Sequence, residues 1–130
     1  HTTEHPGGAI RAQLRPTDVL AIPVRLLPSN EVPAVTGLDA TGEGELRFRT
    51  LRGPDGRIQI AHLRFDINHR FPGRVEFTGL HIHEGAAGEN GPVRIDSSLT
   101  ASAALVSETG FGNIFERVTF PDDAGLAVIH

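Results

Sequence analysis

Seven histidines and no cysteine stand in a chain of 130 residues. Any transition-metal site in it must therefore be built from imidazole, with help from carboxylates. The clearest grouping is His81 and His83 in "GLHIHEGAAGENGPV", one residue apart and directly ahead of a glycine-rich turn. On a strand, residues i and i+2 share a face, with Cβ atoms about 7 Å apart. Two imidazoles so placed can lean toward one ion, and neutral imidazole suits copper, zinc and nickel. Leu80 and Ile82 take the opposite face, which predicts that they point into a core. Gly79 leaves open space beside His81. A pair of imidazoles holds an ion weakly, so a third ligand is needed. The first candidate is His130, which closes the apolar stretch "GLAVIH"; next come His1 and His5, which flank Glu4 in "HTTEH". His62 is an outside candidate. His62 and His69 otherwise read as ordinary solvated polar residues, His69 in a turn beside Arg70. Glu84 reads as a turn carboxylate, or as an acceptor that fixes the tautomer of a ligating histidine.

Other chemistries are poorly supported. The absence of cysteine excludes disulfides, thiolate metal sites and thiol catalysis. "GAAGENG" is no phosphate loop, because no lysine follows it and no helical pattern opens there. Ser97, Ser98, Ser102 and Ser107 lie in no nucleophile-elbow context. Asp122 and Asp123 form a turn pair without the further acids that calcium requires. The net charge of −4 argues against non-specific nucleic-acid binding. No apolar run approaches the 18 or so residues of a membrane span. All 12 basic residues are arginine, which reads as a compositional bias, or as a surface suited to bidentate carboxylate pairing.

The elements that must position these residues are short and alternating. Glycine (15) and proline (9) are spread along the chain, and no window keeps a helical apolar period over three turns. The pattern predicts an all-β sandwich or barrel of about eight strands. Strands are expected at 9–14, 19–27, 44–51, 57–67, 74–83, 92–95, 114–120 and 126–130. Pro23 marks 19–27 as an edge strand, and "RGPDG" is a hairpin turn. Residues 100–111 carry no clear pattern.

"NEVPAV", "TGEGELRF" and "HIHEGAAGENGPV" occur in the order that marks the CHRD domain, and residues 20–130 resemble that family. The resemblance implies a Greek-key-like antiparallel β-sandwich from a family frequent in secreted proteins. Members end in a strand after a His-Thr and Pro-Gly turn. Here the similar block, "HTTEHPGGAIRAQL", stands at the front. Two parts follow: residues 1–15, a strand segment that completes its own or a neighbouring copy, and residues 16–130, the body. With no methionine even at position 1, the chain is expected to be a processed product or a piece of something longer. It is expected to be one period of a tandem array, or a subunit whose first strand is exchanged with its neighbour. The alternative is a single domain closed on itself.

"GLHIHEGAAG" is also similar to the His-x-His signature of copper/zinc superoxide dismutase, and "LAVIH" to a later copper-binding strand of that family. That likeness implies His81, His83 and His130 as copper ligands. Nothing matches the family's disulfide or its histidine-rich zinc loop. The expectation is a non-enzymatic structural module of a repeated or polymeric fibre (a filament), extracellular, secreted or on a cell surface. It binds copper, with zinc as the alternative, near a head-to-tail junction between copies where His1 and His5 meet His130. The competing readings are a superoxide dismutase-like enzyme and a metal-free protein-binding module.

Overall fold

Alternation of apolar and polar residues produces strands over more than half of the described residues. The computed structural model describes residues 17–120. The strands expected at 9–14 and 126–130, the segment 1–15, and His1, His5 and His130 lie outside the described residues. In chain order the strands are β1 (Thr17–Leu26), β2 (Thr41–Arg52), β3 (Ile58–Arg70), β4 (Val75–Phe77), β5 (His81–His83), β6 (Val93–Asp96), β7 (Leu105–Ser107) and β8 (Phe111–Phe120), with one 3-10 turn at Pro28–Asn30. The fold is all-β and antiparallel, as expected. A four-stranded sheet has the order β1-β2-β3-β8, and two ribbons, β4-β7 and β5-β6, complete it. The chain leaves β3, builds the ribbons, and returns to pair β8 against β3.

The β2–β3 hairpin turns at "GPDG". Pro54 fixes one φ, the Asp55 carboxylate accepts from the Arg57 N–H at 3.1 Å, and Gly56 takes φ 78°. That positive φ favours glycine. From this turn the register places Phe48 opposite Leu63 and Leu46 opposite Phe65. Phe48, Leu63, Phe65 and Ile67 are buried on the inner face, and Ile95 of β6 joins them with the half-buried Leu80 and Ile82. Each such side chain stabilises the fold by about 1.5–3 kcal/mol through burial. The ribbon that carries the His-x-His pair is thus fastened to the main sheet by Leu80, Ile82 and Ile95.

Gly44 permits this packing, because a Cβ there would collide with the Asp66 carbonyl. Among the described residues β1 is an edge strand, as Pro23 indicated, and only part of its inner face is covered. Val24 packs on the core while Leu20, Ile22 and Leu26 remain 55, 38 and 46% exposed.

Three local expectations change. The strand expected over 74–83 is two strands, because its halves pair with different partners: β4 with β7, and β5 with β6. Gly79 lies in the break, where it contributes no side chain to either ribbon. Residues 100–111 hold a tight turn, with the Ala103 N–H donating to the Thr100 carbonyl at 3.0 Å, and then β7. His69 is neither solvated nor in a turn. It is buried at the end of β3, its Nδ1–H donates to the Gly110 carbonyl at 3.0 Å, and its ring meets Phe77 edge-on at 4.6 Å.

Candidate metal centre

β5 presents His81 and His83 on its solvent side and Ile82 toward the core, the parity expected from the sequence. The pairing with β6 sets His81 opposite Asp96 and Ile82 opposite Ile95. A bulge then intervenes, so that His83 faces Val93 and Arg94 is the extra residue. Bulges re-aim the side chains beside them. Arg94 uses that position to form an ion pair with Glu84, so Glu84 serves the turn and holds neither histidine.

Each imidazole has one nitrogen committed. The His83 Nδ1 lies 2.8 Å from the Gly91 carbonyl, which can only accept. His83 therefore carries its proton on Nδ1 when neutral, and its Nε2 lone pair is available. The Gly91 carbonyl reaches this position because Gly91 packs against Glu84; a Cβ at Gly91 would collide with the Glu84 carbonyl. The Glu84 N–H, donating to the Pro92 carbonyl at 3.1 Å, closes the base of the same loop. His81 Nε2 is 3.2 Å from Asp96 Oδ1, which leaves Nδ1 as the lone pair of the neutral ring. The ring lies over Gly79, where a Cβ would stand 2.9 Å from its Cε1; the space expected beside His81 is occupied by His81 itself.

The two rings have centroids 6.1 Å apart and planes at 69°. A metal–nitrogen bond of about 2.0–2.1 Å puts an ion about 3.2 Å from each ring centre, so rings sharing an ion stand at most about 6.4 Å apart. The observed separation fits within that limit. A carbonyl or carboxylate holding the second ring nitrogen is also the usual support of a ligating histidine. Among the described residues no group of three histidines or carboxylates is arranged to hold an ion. The ring separation allows the two imidazoles to supply two ligands of an ion and no more. His62 does not join it. That ring is exposed on the outer face of the main sheet, 3.0 Å from Thr119 Oγ1. His69 serves the core. The two features that the sequence did not reveal are Asp96 and the Gly91 carbonyl, since both depend on the β5–β6 register and its bulge.

The pattern of the CHRD domain matches residues 22–124. The chain belongs to the CHRD domain family. In this CHRD domain the His-x-His pair lies on one of the small ribbons rather than on the main sheet. No curated protein and no solved structure matches the chain.

Proposed function

We propose that this CHRD domain is a non-catalytic structural module of an extracellular, self-associating assembly, and that it binds a copper-class ion through His81 and His83. The observation that carries the reading is the paired restraint on β5. The Gly91 carbonyl holds one ring and Asp96 the other, and their centroids stand within reach of one ion. The third ligand comes from His130, His1 or His5, or from a second copy, which couples metal binding to association. The half-covered inner face of β1, with Leu20, Ile22 and Leu26 exposed at the sheet edge, supports a further strand there. The segment 1–15 of the same or a neighbouring copy supplies it.

The test is a titration of the full chain with copper(II) chloride, followed by calorimetry and electron paramagnetic resonance. About one ion per chain, with nitrogen coupling lost in His81→Ala and in His83→Ala, is the expected result. Sedimentation velocity is expected to show larger species with copper that disperse on adding a chelator. Copper uptake unchanged in both variants would overturn the metal reading. Sedimentation unchanged by copper would overturn its link to assembly.

A further inference from the structure

The outer face of the main sheet carries a second, unrelated cluster. The register sets Arg47, Arg64 and Arg117 directly opposite one another on β2, β3 and β8. The next row toward the hairpin is Arg49, His62 and Thr119. These six residues line a cleft of about 490 Å³, and among the described residues no carboxylate lines it. Like charges set directly opposite on adjacent strands destabilise a sheet. In a chain of net charge −4, such a concentration calls for a compensating anion.

The protein's own carboxylates compensate only one side. Glu45 binds Arg47 at 2.7 Å, and Glu45 and Asp66 stand 3.8 and 3.7 Å from Arg64. Among the described residues, Arg49 and Arg117 pair with no carboxylate. Arg64 Nε is buried without a hydrogen-bond partner among the described residues, so Arg64 offers an anion only its terminal nitrogens. Next to the cleft, the Phe115 ring is 46% exposed, with the Arg64 and Arg117 guanidinium carbons 5.5 and 5.1 Å from its centre.

We propose that this cleft binds an acidic polysaccharide. Three features select that ligand over a lone small anion. The arginine row runs across three strands, a span of about 10 Å at the usual strand spacing, so it engages charges on successive sugars. Guanidinium forks match carboxylate and sulfate oxygens in a bidentate way. The exposed Phe115 face, flanked by cations, offers an apolar platform to the uncharged face of a sugar ring. The site is independent of the histidine ribbon, so the two readings stand or fall separately.

The test is calorimetric titration of the full chain, at low and at moderate salt, with a galacturonate octamer, a heparin-derived octasaccharide and inositol hexakisphosphate. Binding of at least one octasaccharide is expected, weakening with salt. In Arg49→Ser/Arg117→Ser that affinity is expected to fall at least tenfold, with a shallower salt dependence. The control Arg25→Ser/Arg74→Ser removes the same charge away from the cleft and is expected to change affinity less than threefold. Thermal melts establish that both variants fold; each substituted cleft arginine is exposed, which favours this. No octasaccharide binding overturns the proposal, as does equal weakening in the two double variants or unchanged affinity in the first. Binding of inositol hexakisphosphate alone overturns the polysaccharide assignment.

Discussion

Ile95→Ala removes the side chain by which the histidine ribbon is anchored to the main sheet. Ile95 is 2% exposed and belongs to the same cluster as Phe48, Leu63, Phe65 and Ile67. The substitution deletes three carbons, worth about 2.4 kcal/mol at about 0.8 kcal/mol per buried methylene. The vacated space adds a cavity term, because a clamped neighbourhood relaxes only partly, so the total is expected at about 3–4 kcal/mol. On a domain of this size that lowers the melting temperature by roughly 10–20 °C. The assay is urea unfolding followed by circular dichroism, with the midpoint expected to fall and the slope unchanged. Val93, two residues away on the same strand, is 46% exposed, and Val93→Ala is expected to cost less than about 0.5 kcal/mol. A loss below about 1 kcal/mol for Ile95→Ala, or equal losses at the two positions, would refute the packing of the ribbon on the sheet.

Gly91→Ala drives a Cβ into the Glu84 carbonyl and so displaces the acceptor of His83 Nδ1. Copper affinity measured by calorimetry is expected to fall about 10- to 100-fold, the usual effect of losing a group that orients a ligand. Gly88, in the same loop, has a positive φ, 84°, and open space around it. Gly88→Ala is therefore expected to cost about 1 kcal/mol of stability and to leave copper affinity within threefold. Gly44→Ala forces β2 away from the Asp66 carbonyl in the middle of the sheet; in urea unfolding it is expected to be more destabilising than Gly88→Ala. Asp39 accepts two hydrogen bonds from Arg70, at 2.7 and 3.0 Å. The pairing and the Arg70 charge hold the Asp39 carboxyl below its ordinary value. A carboxyl lowered in the folded state contributes stability above its unfolded value, near pH 4, and loses it as pH falls through the folded value. Asp39→Asn is thus expected to flatten the dependence of melting temperature on pH below about pH 4. Both partners are surface groups, so the change at neutral pH is expected to be small.

The fold was legible because alternation is a local signal. "ELRFRTL" and "AHLRFDI" declare both faces of β2 and β3, and "GPDG" declares their turn. The inward parity of Leu80 and Ile82 and the outward parity of His81 and His83 came from the same rule. Signals that depend on pairing were hidden. Nothing in "GRVEFTGLHIH" shows that Val75–Phe77 and His81–His83 choose different partners. Asp96 and Gly91 became part of the centre only through the register and bulge of β5–β6. His69 looked like a turn residue because "NHRFPG" is rich in turn formers, yet β3 runs on through Arg70 and closes His69 against Phe77. The arginine row was written in plain sight, one arginine at an outward position on each of three strands, but only the register aligns them.

The most direct test of the metal reading is elemental analysis, by inductively coupled plasma mass spectrometry, of the full chain purified without chelator or affinity metal. About one copper or zinc per chain, absent from His81→Ala/His83→Ala prepared in parallel, is the expected result. No metal in the purified chain, and none taken up on later titration with copper or zinc, would contradict it and return both histidines to an ordinary polar strand edge.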